Sequence, residues 1–198
     1  MVRAAGQMRV GHFAAGRACA HAAMEQLGIS EAPLLPGPKR RPVWPDGIDG
    51  SITHTDGLCI AVVARSDALA GRSLGIDTEH RGRVKPELFR RLFTNAEIAE
   101  LEALAVADQQ LSATIGFCSK EAVYKAQFPI TESWVSFTDV GVTLAAGRAR
   151  AEANPATDLA ALAKVRWPMA LGIEIRDEHV VAGALAASAA INTAFNPS

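Results

Sequence analysis

The sequence has 198 residues, 49% of them hydrophobic, enough to bury a substantial core in one domain or two small halves. Its 20 basic and 21 acidic side chains leave a formal net charge of −1, so the chain as a whole has no attraction for nucleic acid or an anionic membrane. The longest apolar run, Val180 to Ile191, is shorter than the ~18 residues of a membrane-spanning helix, and the first six residues lack a signal-peptide core. A soluble, cytoplasmic protein is expected.

From His12 to Leu27 the composition forms a helix, with Phe13, Ala20, Ala23, Met24 and Leu27 as its apolar face and Gly28 as its C-cap. Arg17 lies within it, and by spacing alone it is a solvated charge. Pro33 to Pro38 opens a loop that continues into Lys39-Arg40-Arg41-Pro42-Val43-Trp44-Pro45, three cations beside an aromatic in a proline-stiffened segment. Such a cluster is either a solvated face or a phosphate grip. Gly50-Ser51-Ile52-Thr53-His54 then leads into an apolar strand from Leu58 to Ala64, and spacing does not decide whether His54 is structural or functional.

Ser73 to Glu79 reads as a strand, followed by a polar loop holding Arg81, Arg83 and Lys85. Leu88, Leu92 and Phe93 indicate a short helix, and Thr94-Asn95-Ala96-Glu97 is a capping box opening another. Asp108-Gln109-Gln110 interrupts, and a long helix from Leu111 to Phe128 ends at Pro129. Strands are expected at Trp134–Phe137 and Gly141–Leu144, a loop near Arg148–Asp158, and a hairpin of Met169–Ile175 with His179–Leu185. Asn192–Ser198 reads as a frayed tail. Cys19, Cys59 and Cys118 lie apart in apolar surroundings and are expected to be buried reduced thiols. The order of elements gives an α+β fold with mostly antiparallel sheet, and no dinucleotide or P-loop glycine motif occurs.

Two segments carry chemistry. In Gly75-Ile76-Asp77-Thr78-Glu79, a strand puts Asp77 and Glu79 on one face. In Phe117-Cys118-Ser119-Lys120-Glu121-Ala122-Val123-Tyr124-Lys125-Ala126, a helix puts Glu121 and Lys125 on one face. Packed together, they bring three carboxylates beside an ammonium. Carboxylates that close repel unless a cation lies among them, and hard oxygen donors suit Mg²⁺, which completes its shell with water and substrate phosphate. The chemistry indicated is phosphate chemistry.

These segments resemble motifs of the 4'-phosphopantetheinyl transferases of the Sfp type, in the branch of enterobactin synthetase component D. Gly75–Glu79 matches Gly-Ile-Asp-x-Glu, and the stretch from Phe117 to Ala126 matches Trp/Phe-x-x-Lys-Glu-Ala-x-x-Lys-Ala. Gly50–His54, Arg41–Pro45, Gly16–Ala20 and Phe128–Thr131 match further elements in the same order, covering roughly residues 12 to 135. Relatives carry a further segment ahead of the Gly-Arg helix, and this sequence begins closer to that helix.

The resemblance implies two similar α+β halves with pseudo-twofold symmetry, residues 1–72 and 73–198, with coenzyme A in the cleft between them. It implies transfer of 4'-phosphopantetheine from coenzyme A to a serine of an apo carrier protein, by a monomer. The carrier would belong to a nonribosomal peptide synthase (siderophore synthases included), a polyketide synthase or a fatty acid synthase. Asp77, Glu79 and Glu121 would hold Mg²⁺. Glu121 and Lys125 would be catalytic, Lys125 also touching the pyrophosphate. His54 would bind a coenzyme A phosphate and Arg17 and Arg41 the 3'-phosphate, with Arg40 and Thr53 as further ligands. The carrier is expected to dock between Arg81 and Leu104. An inactive coenzyme A-binding homologue and a Mg²⁺-dependent phosphohydrolase are the alternatives. The first would be marked by a missing ligand, yet Asp77, Glu79, Glu121 and Lys125 are all present, and the second would cleave coenzyme A without a carrier.

Overall fold

The structure, a computed structural model, describes residues 2–29, 32–145 and 148–190, and side chains from residue 11 onward except those of Arg40, Ala145 and Arg148. The expected tail at Asn192–Ser198 lies outside the described residues.

Helix α1 (Val2–Gln26) packs on a hairpin of β1 (Ile48–Thr55) and β2 (Leu58–Arg65). Small residues allow the approach: a Cβ on Gly16 would lie 3.0 Å from Ile52, and Ala20 and Met24 are buried against Ile52, Ala61 and Val63. The left-handed Gly28 (φ 71°) ends the helix, as its type predicts, with Ile29 N–H donating to the Met24 carbonyl. Phe13, expected on the apolar face, is half exposed and lies under the Arg17 guanidinium instead. The Gly-Ser-Ile-Thr-His motif is itself strand β1, not merely the approach to one.

A second, five-stranded antiparallel sheet has the order β3-β7-β6-β5-β4, formed by Arg72–His80, His179–Ala187, Met169–Arg176, Arg148–Ala153 and Val140–Ala145. The expected hairpin is present as β6 and β7, turning through Asp177 in the left-handed region. Two expectations fail here. Trp134–Phe137 is not a strand, since Ser136 caps a short 3-10 turn at Phe137–Asp139 and pairing begins only at Val140. The supposed loop at Arg148 opens instead as β5, where alternation of Arg and Glu with Ala puts the buried Ala151 on the core face.

Between β3 and β4 come α2 (Phe89–Leu92), α3 (Asn95–Glu102) and α4 (Val106–Thr131). The Thr94–Glu97 capping box is formed, Thr94 N–H donating to Glu97 Oε2 at 2.7 Å. Helix α4 starts before Leu111 because Asp108 suits a first turn and does not break it. It also runs through Pro129, whose missing N–H costs only the bond to the Lys125 carbonyl one turn from the end. The stop is Glu132, left-handed at φ 54°, with its N–H donating to the Phe128 carbonyl. The main core lies between α4 and the sheet, where Cys118, Ala122, Val123 and Ala126 meet Val180, Ala182 and Ala184.

The halves on either side of Arg72 each place a helix on antiparallel strands, but with two strands against five. Strand β1 runs beside β3 without a backbone ladder, and hydroxyls bridge the seam. Ile76 N–H donates to Ser51 Oγ at 3.1 Å and Thr78 N–H to Thr53 Oγ1 at 3.2 Å. On its other side β3 is pressed against α4. A Cβ on Gly75 would lie 2.1 Å from the Ala122 carbonyl oxygen and 2.5 Å from the Ala126 nitrogen, so the motif glycine and the two motif alanines are one contact. Gly75→Ala should therefore cost about 3 kcal/mol, lowering the thermal midpoint by roughly 6–12 °C, whereas Gly172→Ala, whose Cβ meets nothing within 4 Å, should leave it within about 2 °C.

Candidate active site

Alternation along β3 directs Asp77 and Glu79 to the face that α4 covers, and the close approach at Gly75 brings Lys125 to them. Asp77 Oδ1 accepts from Lys125 Nζ at 2.7 Å and from Thr53 Oγ1 at 2.8 Å, while Lys125 also donates to the Ile76 carbonyl at 3.0 Å. Asp77 Oδ2 is buried with no partner. The other motif lysine faces away. Lys120 is buried and donates to Glu97 Oε2, the Leu92 carbonyl and the Phe137 carbonyl, using its three N–H groups to join α2, α3 and the start of β4.

The three predicted carboxylates act on one another. Burial, with Asp77 and Glu121 adding to it, pushes the Glu79 carboxyl from 4.5 up to about 7, against the opposing effect of Arg83 and Lys125. Burial also raises Glu121, with Lys125 pulling down and Asp77 pushing up. Among the described residues no three His, Cys, Asp or Glu side chains are grouped as a ready ligand set. In donor type the residues suit a hard divalent cation, since all are carboxylate oxygens, one buried oxygen lacks a partner, and burial holds two of the carboxyls toward protonation. Cys118, also buried beside Asp77, has its thiol pushed up by burial, which removes it as a nucleophile.

A cleft of about 450 Å³ adjoins this cluster. The 39–44 loop supplies Lys39, Arg41 and Trp44 to one wall, β1 and β3 supply the floor, and Tyr124, Lys125 and Phe128 of α4 form the other wall. Trp44 packs on Gly50, where a Cβ would come within 2.4 Å of the ring. Lys125 is thus shared between the cleft and the carboxylates. Of the expected anion ligands, Arg41 and Lys125 line the cleft, and the Arg40 side chain lies outside the described residues.

Arg17, Thr53 and His54 are placed differently. Arg17 Nε donates to the Leu34 carbonyl at 2.7 Å, Nη2 is buried without a partner, and burial lowers its pKa. Thr53 commits its hydroxyl proton to Asp77 and does not line the cleft. His54 is exposed on the α1 side of β1, stacked on His12 at 4.4 Å, and burial, His12 and Lys125 hold its pKa below the ordinary value. By sequence Lys39 is only one of three adjacent cations. The cue that separates it from its neighbours is a left-handed backbone (φ 53°), which sequence does not reveal in a lysine.

Comparison with known proteins places this geometry in a family. Residues 1–64 match the 4'-phosphopantetheinyl transferase N-terminal domain and residues 73–182 match the 4'-phosphopantetheinyl transferase superfamily. The chain belongs to that superfamily. It is 41% identical over 135 residues to the 4'-phosphopantetheinyl transferase PptT of Mycobacterium tuberculosis, an alignment covering 68% of this chain and 58% of that protein. It is 35% identical over 127 residues to the enterobactin synthase component D of Salmonella typhimurium, covering 63% and 51%. The chain thus spans little more than half the length of these relatives. The Thermotoga maritima holo-[acyl-carrier-protein] synthase superimposes with a TM-score of 0.47 at 20% identity, covering 58% of this chain and 62% of that one.

A carboxyl that holds its proton more tightly folded than unfolded costs nothing below about pH 4.5 and its full penalty above about pH 7. Without divalent cation, Glu79→Gln should match the wild type near pH 4.5 and exceed it by roughly 2 kcal/mol at pH 8, as read from denaturant unfolding in EDTA. A difference that is constant with pH would contradict the raised Glu79.

Proposed function

We propose that the chain transfers the 4'-phosphopantetheinyl group of coenzyme A to a serine hydroxyl of an apo carrier protein, releasing adenosine 3',5'-bisphosphate. The observation that carries this reading is Lys125, whose ammonium stands in the wall of the cleft and also 2.7 Å from Asp77 of the carboxylate cluster. Membership of the superfamily and the wide, cation-rimmed cleft support it. We divide the chain at residues 72 and 73, so that the cleft draws on both halves.

In this reading the adenosine end of coenzyme A enters between the 39–44 loop and α4, with Arg41 and Lys39 toward the 3'-phosphate and Trp44 and Phe128 as apolar walls. Arg17 and His54 bind phosphate from the α1 side in this reading, though neither lines the cleft, and the unpartnered Nη2 of Arg17 is buried, so its side chain has to turn outward to donate. Lys125 donates to the pyrophosphate and stabilises the charge that develops as its P–O bond breaks. Mg²⁺ held by Asp77, Glu79 and Glu121 would supply charge neutralisation at that pyrophosphate. Glu121 is the base assigned to the serine proton, directly or through water, a role in which binding to Mg²⁺ would weaken it. Thr53 keeps the Asp77 carboxylate oriented through its donated hydrogen bond.

Intact-mass measurement of an apo carrier protein incubated with this chain, coenzyme A and Mg²⁺ tests the reaction. One added phosphopantetheine is expected, and none in EDTA. Carriers that stay unmodified would overturn the transfer. Asp77→Ala should abolish modification while leaving the protein folded, and full activity in that variant would remove the metal assignment. Arg41→Ala should raise KM for coenzyme A about tenfold, the loss of a charge-assisted phosphate contact, and spare 3'-dephospho-coenzyme A. Equal losses with both would remove its 3'-phosphate role.

A further inference from the structure

Arg41, which lines the cleft, is also half of an ion pair whose other member, Glu132, does not line it. Arg41 Nη2 lies 3.9 Å from Glu132 Oε1, with the two side chains 42% and 74% exposed. Glu132 is held there by its backbone. It is the left-handed cap of α4, its N–H donates to the Phe128 carbonyl at 2.8 Å, and its own carbonyl accepts from Lys39 Nζ at 3.1 Å. A glutamate is an unfavourable residue for that conformation, which glycine or asparagine would adopt at lower cost. At 3.9 Å the carboxylate attracts Arg41 but is too distant to hydrogen-bond it well, so water and other anions exchange with it readily. A phosphate group can accept two parallel hydrogen bonds from the same guanidinium and would displace it.

We propose that Glu132 is a built-in counter-charge that occupies Arg41 until a phosphate arrives, and so sets the affinity of the cleft for ligands bearing a phosphate at that point. The inference rests on the reading of the cleft as a coenzyme A site. A ligand lacking that phosphate does not engage Arg41 and leaves the pair closed. Glu132 thereby lowers the advantage that coenzyme A holds over 3'-dephospho-coenzyme A and speeds exchange at the site.

Titration calorimetry with both ligands on wild type, Glu132→Gln, Arg41→Ala and the double variant tests this. In Glu132→Gln, Kd for coenzyme A should fall about two- to fivefold at low salt, the range expected of a rim ion pair. The gain should shrink as salt rises, Kd for 3'-dephospho-coenzyme A should stay unchanged, and the gain should vanish in the Arg41→Ala background. Glu132→Gly, which removes the charge and suits the left-handed cap, should give the same gain with a higher thermal midpoint. An unchanged Kd in both Glu132 variants, or an equal gain without Arg41, overturns the counter-charge. Failure of the wild type to bind coenzyme A overturns the reading of the cleft and the inference with it.

Discussion

The partly buried ion pair of Lys125 with Asp77 is the contact on which the rest of the site depends. Its components come from elements far apart in sequence, and a third, the Thr53 hydroxyl, comes from the other sheet. Burying a carboxylate and an ammonium is costly unless their remaining donors and acceptors are used. Here Lys125 has the Ile76 carbonyl as well, and one Asp77 oxygen takes two donors. The other oxygen has none. Apart from that one buried oxygen, the pair is satisfied within the protein.

Around that pair the small residues have a steric explanation. Gly75 lets β3 approach the α4 backbone, and Ala122 and Ala126 are the surface it approaches. Ser51 and Thr53 substitute side-chain oxygens for the backbone ladder that would otherwise join β1 to β3. Such a seam is held by fewer hydrogen bonds than a continuous sheet, and it is where the cleft opens. Glu97 and Lys120 brace the far side, since one glutamate caps α3, accepts Val142 N–H and pairs with the buried lysine.

Much of the site was legible because it rests on short-range periodicity. Two residues apart on a strand and four apart on a helix are geometric facts, so Asp77 with Glu79 and Glu121 with Lys125 could be paired on the page. What was hidden depends on tertiary surroundings. Lys125 is legible as the partner of Glu121, but where Lys120 goes depends on α2 and the Phe137 turn, which present carbonyls to it. Pro129 was read as a stop, yet so close to the end of a helix it loses only one bond. Strand β5 did carry its signal, alternation over six residues, but alanine on the buried face made it resemble a loop.

The sheet order has a consequence for how the chain reaches this state during synthesis. Strand β3 pairs with β7 in register from Arg72 opposite Ala187 to His80 opposite His179, so its neighbour emerges from the ribosome only after some hundred further residues. Until then the strand bearing Asp77 and Glu79 has an unsatisfied edge and the sheet beneath α4 has a gap between β3 and β6, and long-range pairing of this kind is slow to form. Both motifs are translated well before β7. A nascent chain halted short of His179 would contain every residue of the carboxylate cluster but lack the strand that joins β3 to the rest of the sheet.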